Sequence, residues 1–436
     1  MLPRICFGLL CLSASMAFGE PGSKEAKQGD KLPKPLATPS VIKHPKVIGW
    51  PKGKLPQAPK GFRVTAFVPK IENPRWLYVL PNGDVLVAQS RTLPKPEKKE
   101  ESEKSDKEKK QAEGMKKSKT VTGDSPNKIT LLRDADGDGS PEIQKTFLND
   151  LNQPLGMALV GDTLFIGTTD ALLAYPYQKG QTSIDADPLK ILDLPAGGYN
   201  NHWTRNVVAN ADGSKLYISV GSASNVAEHG TAEELLRANI LEVNLDGTAL
   251  RVFASGLRNP VGMAWEPKSE KLWTVVNERD ELGDDLVPDY LTSVREDAFY
   301  GWPFSYYGDH EDPRRKGERP DLVKKAVVPD LPLGSHTASL GLTFYTGKAF
   351  PKRFQGGAFI GQRGSWNRSA FVGYQVAFVP FEGGKPAGEL EPFLTGFIAS
   401  DDEVYGRPVG VITANDGSLL VADEPGNAIW RVAAEK

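Results

Sequence analysis

Two of the five histidines stand where an imidazole could take up a proton. His202 and His336 each lie a few residues before a phrase that recurs along the chain, whereas His44, His229 and His310 lie in polar segments and are expected at the surface. Because imidazole titrates near neutral pH, a histidine held at such a position can act as a general base. A histidine that only hydrogen-bonds neighbouring loops is the alternative, and position alone does not separate the two.

Several arginines occupy the same phase of the recurring phrase. Arg258 and Asn259 directly precede one copy, and Arg363 and Arg407 hold equivalent positions in later copies. A guanidinium beside an amide suits an anionic or quinone oxygen, although an arginine can also bridge loops structurally. Guanidinium groups that converge on one axis repel one another unless an anion lies between them. The pattern therefore predicts a multiply charged ligand.

Two acidic segments could hold a cation. Carboxylates and turn carbonyls cluster over 277–285, and Ca²⁺ takes six to eight oxygen ligands. The second segment, which contains Asp134, Asp136 and Asp138, opens with the D-x-D-x-D-G pattern of a calcium loop. An EF-hand is excluded because Lys145 stands at the twelfth position and no flanking helices are predicted. A hairpin turn that binds Ca²⁺ peripherally remains, and for both segments the alternative is a solvated acidic loop.

These residues can meet only if the fold gathers them, and the recurring phrase indicates how. A short apolar segment, a polar turn and a strand similar to Leu-Tyr-Val-Ser recur about six times, at spacings of about 50 to 80 residues. The copies begin near Asn73, Gln153, Asn206, Asn259, Ser339 and Arg407. Repeats of short strands at this spacing predict an all-β fold, a six-bladed β-propeller with four-stranded antiparallel blades. A propeller collects one loop from each blade around its axis.

The N-terminal segment predicts export. Residues 1–19 have the features of a signal peptide: a charged Arg4, a short apolar stretch and the small-x-small site Ala17-Phe18-Gly19. The stretch is short for a bilayer span, so no membrane span is expected after cleavage, and a retained anchor is the alternative. Both cysteines, Cys6 and Cys11, lie in this segment. An exported protein without disulfides fits a bacterial periplasm.

The rest of the chain divides by composition. Residues 20–57 are rich in proline and lysine and are predicted to be a leader, or a strand that drapes over the propeller, which itself spans 58–436. Within it, 94–127 is predicted to be a disordered charged insertion in the first blade, because it has too little apolar surface to order itself. The net charge of −2 implies no nucleic-acid partner.

Five motifs in order resemble the glucose/sorbosone dehydrogenases, six-bladed propellers that use pyrroloquinoline quinone (PQQ), and especially the sorbosone dehydrogenase-like branch. The motifs are Gly-Leu-Arg-Asn-Pro at 256–260, the acidic segment 277–285, Tyr-Gly-Trp-Pro at 300–303, Gly-Ser-Trp-Asn-Arg at 364–368 and Gly-Arg-Pro at 406–408. The resemblance covers roughly residues 60–432 and rests on the order and spacing of the motifs together.

The resemblance implies a role for each candidate around PQQ. His202 stands where the family has the histidine that removes the substrate's hydroxyl proton. Arg258 and Asn259 match the pair at the quinone edge, where Arg258 would stabilise developing negative charge. The other expected cofactor contacts are His336, Arg363 and Arg407.

The resemblance also implies two Ca²⁺ sites. The backbone carbonyls of Arg279 and Asp280 match those that ligate the ion bridging to PQQ. Asp284 and Asp285 resemble the carboxylates of a second, structural ion.

The sequence thus predicts a periplasmic oxidoreductase that oxidises a sugar, polyol or sugar aldehyde by hydride transfer to PQQ with Ca²⁺. Because no haem motif is present, an external electron acceptor is expected. Two alternatives stay open: a Ca²⁺-dependent lactonase-type hydrolase, and a non-catalytic propeller that binds a glycan or a protein. The last draws on departures from the family, such as Asn201 where the soluble glucose-oxidising members have an acid and Val409 where they have an arginine.

Overall fold

The computed structural model describes residues 32–93, 105–121 and 124–435, and the predicted signal peptide lies outside them. Strands dominate the described chain and form six blades of a propeller, as predicted. The six recurring phrases supply the first strand of each blade, and these first strands line a central channel of about 310 Å³. None of the helices in the described ranges has the length and apolar character needed to cross a bilayer.

The strands of each blade are antiparallel and follow one another from the axis outward. Blade 1 contains Pro74–Val79, Val85–Gln89, Lys128–Arg133 and Ile143–Leu148. Blade 2 contains Met157–Val160, Thr163–Gly167, Ala171–Pro176 and Leu189–Asp193. Blade 3 contains Arg205–Ala209, Lys215–Val220, Asn239–Asn244 and Arg251–Ser255. Blade 4 contains Pro260–Trp265, Leu272–Val276, Pro288–Ser293 and Leu331–Ser335. Blade 5 contains Ser339–Phe344, Ala358–Gln362, Gln375–Val379 and Glu391–Leu394.

Blade 6 closes the ring with strands that are distant in sequence. It contains Pro408–Thr413, Leu419–Asp423, Ala428–Ala434 and, outermost, Phe62–Val68. The last two pair antiparallel, with Phe62 opposite Ala434. Main-chain hydrogen bonds therefore join the two ends of the propeller.

Smaller elements decorate the blades. Blade 3 gains a fifth, parallel strand, Ala298–Phe299. Two hairpins pair Ser305–Tyr306 with His310–Glu311 and Phe381–Glu382 with Lys385–Pro386. Short helical turns occupy Thr231–Glu234, Pro320–Val323 and Lys352–Phe354.

Apolar side chains between blades hold the ring together. Second strands such as Val85–Gln89 are buried along their whole length, because a neighbouring blade covers each face. Between blades 5 and 6, Phe350, Phe354, Phe359 and Phe393 pack with ring centroids 4.7 to 6.2 Å apart. Such aromatic clusters bury large apolar areas and fix the relative position of the blades.

One face of the propeller collects the candidate residues. In each blade the first strand starts, and the antiparallel second strand ends, at this same face, which we call the site face. Loops that precede first strands and loops that follow second strands are therefore neighbours there. This topology brings together residues more than 200 positions apart.

The leader crosses the site face. Leu36 N donates to Leu282 O and Lys43 N donates to Trp366 O, each at 2.8 Å. The two-residue strand Lys46–Val47 then pairs in parallel with the segment that precedes blade 6. The leader thus runs over loops of blades 4, 5 and 6.

The charged insertion contains a helix, so the prediction of disorder is wrong over 105–121. Helix α1 spans Asp106–Lys117, and Ser105 and Glu108 form a capping box at its start. It follows the second strand of blade 1 and so emerges at the site face. The prediction weighed only the lack of apolar residues and took no account of capping or of docking against the propeller.

Candidate active site

The blades place every predicted PQQ-contacting side chain at the site face. Arg258 and Asn259 directly precede the first strand of blade 4, and Arg407 directly precedes that of blade 6. His336 precedes blade 5, whereas Arg363 directly follows the second strand of that blade. All five are between 1% and 9% exposed, so they lie under other parts of the protein and do not point into bulk water.

His202 is held in one tautomer. Its Nδ1 lies 2.8 Å from the Ser222 carbonyl oxygen and 3.0 Å from the Ser222 hydroxyl. Because a carbonyl oxygen only accepts hydrogen bonds, we assign the ring proton to Nδ1 and the free lone pair to Nε2. Burial, together with the positive charge of Arg258, lowers the pKa of His202 to about 3. The imidazole is therefore neutral, as a proton acceptor must be.

Arg258 is locked by a residue that the sequence analysis missed. Its Nε donates to the Asn225 carbonyl (3.1 Å), and its Nη2 donates to Asn225 Oδ1 (2.9 Å) and to Asp280 Oδ2 (3.1 Å). Its Nη1 donates to Glu278 O at 2.7 Å. Asn225 Oδ1 also accepts from Asp280 N at 2.9 Å, so this one amide orients both members of the ion pair. No motif marks Asn225, which follows the second strand of blade 3.

Asp280 connects Arg258 to His336. Asn367 Nδ2 donates to Asp280 Oδ1 at 2.6 Å and lies 3.0 Å from His336 Nδ1, which is 3.8 Å from the same carboxylate oxygen. Burial opposes ionisation, but Arg258 and His336 outweigh it and lower the pKa of Asp280 to about 2. Burial also opposes protonation of His336, yet Asp280 raises the pKa of that imidazole.

Arg363 and Arg407 belong to a second buried cluster with Arg75 and Glu424. Arg75 Nη1 lies 2.5 Å from Glu424 Oε1, and Arg363 Nε donates to Glu424 Oε2. Arg407 donates to the backbone carbonyls of Arg363 (2.9 Å) and Gly364 (2.6 Å). Although burial works against it, the guanidinium groups lower the pKa of Glu424 to about 2.

Glu424 corrects one step of the sequence argument. The converging arginines were predicted to require a bound anion, but the protein itself supplies a carboxylate between two of them. Three guanidinium groups and one carboxylate still leave the cluster positive, and burial with the nearby Arg363 lowers the pKa of Arg407 to about 10. A signal was present: Glu424 directly follows the second strand of blade 6, much as Asn277-Glu278 follows that of blade 4.

The remaining acidic candidates have protein partners. The buried Arg279 side chain lies 3.1 Å from Asp312, which says nothing of its backbone carbonyl. Asp284 accepts from the Ser369 amide at 3.1 Å, and Asp285 pairs with Arg368 at 2.6 Å. Both carboxylates therefore hold one loop of blade 5. The two Ca²⁺ sites assigned to these residues stay predictions.

The acidic hairpin of blade 1 gathers its carboxylates. Oxygen atoms of Asp134, Asp136, Asp138 and Glu142 all lie within 4.8 Å of one another, the one such group of metal-ligating side chains in the described ranges. Glu142 was not among the predicted ligands, because it is ninth in the loop, whereas the EF-hand pattern has its glutamate at the twelfth position. The hairpin joins the third and fourth strands, so it lies on the face opposite the site and cannot reach a ligand there.

Comparison with known proteins identifies the family. The sequence profile of the domain of unknown function DUF7133 matches residues 57–429. The chain belongs to this family. An uncharacterized protein of Borreliella burgdorferi is 30% identical over 302 residues, which cover 67% of this chain and 78% of that protein. Aldose sugar dehydrogenase YliI of Escherichia coli is 31% identical over 187 residues, which cover 38% of this chain and 47% of that enzyme.

A solved structure confirms the predicted resemblance at the level of the fold. The holo form of the pyranose dehydrogenase PQQ domain from Coprinopsis cinerea superposes with a TM-score of 0.67 and 18% identity. The superposition covers 88% of this DUF7133 chain and 98% of that domain. This chain therefore has the propeller fold of PQQ-dependent sugar dehydrogenases.

Proposed function

We propose that this DUF7133 protein is a periplasmic oxidoreductase that oxidises a sugar, polyol or sugar aldehyde, with PQQ and Ca²⁺ bound at the site face. One observation carries the proposal: a neutral histidine with a free Nε2 lies beside a buried arginine in one axial cluster. The distant relative that is an aldose sugar dehydrogenase agrees with it. The periplasmic location rests on the sequence pattern of residues 1–19.

The side chains at the site suit a planar, polyanionic quinone. The second cluster keeps an excess of positive charge, and a buried cation excess is stabilised by a bound anion. Within the described part of the chain, the buried Asn259 Oδ1 has no hydrogen-bond partner. A buried polar atom without a partner is unfavourable, and a ligand can supply the missing donor. PQQ contacts are accordingly assigned to Arg258, Asn259, His336, Arg363 and Arg407.

The oxygen atoms near Arg258 suit Ca²⁺. The Asp280 carbonyl accepts one weak hydrogen bond, from Asn225 Nδ2 at 3.3 Å, which leaves its second lone pair for an ion. The Arg279 carbonyl offers a second hard oxygen of the kind that Ca²⁺ prefers.

His202 and Arg258 have different roles in the proposed reaction. PQQ, when bound, supplies the capacity to accept a hydride. His202 Nε2 accepts the proton of the substrate hydroxyl, and the Ser222 carbonyl keeps the opposite ring nitrogen protonated so that this lone pair stays free. Arg258 stabilises negative charge that develops beside it. The electrons then leave to an external acceptor.

A lactonase-type hydrolase receives less support. Such an enzyme needs a metal ion held on the axis by carboxylates and amides from several blades. In the described part of the chain, the site carboxylates Asp280 and Glu424 already pair with arginines.

Reconstitution tests the proposal. The purified chain is mixed with PQQ and Ca²⁺, and reduction of an artificial dye is followed over a panel of sugars, polyols and sugar aldehydes. We expect substrate-dependent reduction that His202→Ala abolishes and that His310→Ala, at a partly exposed hairpin, leaves intact. No PQQ binding by equilibrium dialysis, or no reduction with any substrate, would refute the function.

A further inference from the structure

Five side chains of the candidate active site are buried in this structure, whereas His202 is partly exposed. Arg258, Asn259, His336, Arg363 and Arg407 are each less than a tenth exposed. Neither a quinone nor a sugar reaches such groups unless part of the protein moves. The leader and helix α1 belong to no blade, and the turn that follows α1 contacts Arg363 of the second cluster.

His44 of the leader lies between the propeller and helix α1. Its imidazole stacks on Trp366 with ring centroids 5.2 Å apart and an interplanar angle of 22°. On its other side, a Cβ atom placed at Gly114 of α1 would lie only 2.0 Å from His44 Cδ2. His44 was predicted at the surface, and the structure leaves it partly exposed but packs its ring between Trp366 and α1.

Gly114 explains how α1 docks. Glycine is unfavourable in the interior of a helix, so its presence there needs a reason. The reason is the contact with His44, because any side chain at this position would collide with the ring. We call the contact between Gly114 and His44 the glycine seat.

Among the described residues, two more at and after the C-terminal end of α1 contact the rest of the protein. The Ser118 side chain at its C-terminal end is buried, and Thr120 Oγ1 accepts a hydrogen bond from Arg363 Nη2 at 3.2 Å. A polar helix of 12 residues is marginal without tertiary support. Undocking of α1 therefore belongs to the low-energy openings of the molecule.

Charge links α1 to the content of the site. Its sequence has five lysines against three carboxylates, and Thr120, in the turn that follows it, contacts Arg363 of the positive cluster. In the ligand-free protein, like charges oppose closure. An anion beneath the helix would attract these positive charges and so favour closure.

We infer that α1 and the leader form a cover over the second cluster, on the Arg363 side of the site, which opens at the glycine seat to admit a polyanionic ligand and closes more firmly over it. The choice of PQQ as the ligand rests on the proposed function. The contact between Gly114 and His44 does not depend on the proposed function.

Limited trypsin digestion of the full chain tests the seat, because the lysines of α1 become cleavable when the helix undocks. We expect Gly114→Ala to raise the cleavage rate at least about tenfold, although alanine favours helix formation. Gly114→Ala with His44→Ala removes the collision and should restore slow cleavage. Glu113→Ala, at the adjacent exposed position, should change little. Cleavage of Gly114→Ala at the wild-type rate, or equally fast cleavage of the double variant, would overturn the seat.

The ligand arm uses PQQ with Ca²⁺ as the probe. PQQ should slow cleavage of α1 in the wild-type protein, and Gly114→Ala should accelerate PQQ association in stopped-flow fluorescence. If PQQ binds by equilibrium dialysis but neither rate changes, α1 is not a cover. If PQQ does not bind at all, the proposed function and the ligand-linked closure fall together, while the digestion of the variants still decides the seat.

Discussion

Replacing Glu424 by glutamine should destabilise the propeller strongly, because this carboxylate pairs with both Arg75 and Arg363 in the buried cluster. Removing one member of a buried ion pair typically costs about 3–5 kcal/mol. The lowered pKa of Glu424 gives a similar value for this loss of unfolding free energy. The fall of the Glu424 pKa from 4.5 to about 2 corresponds to about 3 kcal/mol at 1.36 kcal/mol for each pKa unit.

The stabilisation by Glu424 should depend on pH, in a direction set by its lowered pKa. Because the pKa is lower in the folded than in the unfolded protein, the contribution of Glu424 is complete above about pH 4.5 and is lost as the pH falls towards 2. The difference in unfolding free energy between wild type and Glu424→Gln should therefore be full at neutral pH and narrow in acid.

Urea denaturation followed by tryptophan fluorescence, at neutral pH and near pH 3.5, measures both effects. Glu403→Gln is the matched control, because Glu403 pairs with Lys46 at 2.8 Å on the exposed surface and should contribute less than about 1 kcal/mol. A loss below about 1 kcal/mol for Glu424→Gln at neutral pH, or the same loss at both pH values, would refute this account of the cluster.

Three further predictions follow from the site and the acidic hairpin. In the ligand-free protein, the His202 ring should show no NMR titration between about pH 5 and 8, because its pKa lies near 3; a midpoint near 6.5 would contradict the described burial. Asn225→Ala should lower kcat by about tenfold or more, since it orients Arg258, and unchanged kcat in the PQQ-loaded enzyme would remove Asn225 from the site. Ca²⁺ should raise the Tm of the wild type, an increase that Asp136→Asn reduces while dye reduction is unchanged; an equal increase in both would exclude the hairpin as a metal site.

The fold could be predicted because the sequence repeats one strand–turn–strand unit about six times. Each copy joins a first strand to a second strand through a polar turn, and the antiparallel arrangement then fixes which loops share a face. The positions of His202, Arg258 and Arg407 at the site face follow from where each residue lies relative to the first strand of its repeat. The closing strand of blade 6 was similarly foreseeable from the apolar C-terminal strand.

What could not be predicted depends on contacts between segments that carry no repeat. Glu424 is chemically decisive only because Arg75 and Arg363 reach it from the two neighbouring blades. The packing of His44 depends on the path of the leader, which has no periodicity. Helix α1 is ordered by a capping box and by one glycine contact, and neither adds the apolar content from which order is usually predicted.

The pairing of Phe62–Val68 with Ala428–Ala434 sets the order of events in biosynthesis. A nascent chain can stack the first five blades as they emerge, but blade 6 lacks its third strand until residue 434 has been made. Until then blades 1 and 5 expose flanks that blade 6 later covers. A cut that removes this last strand would therefore release both ends of the ring at once.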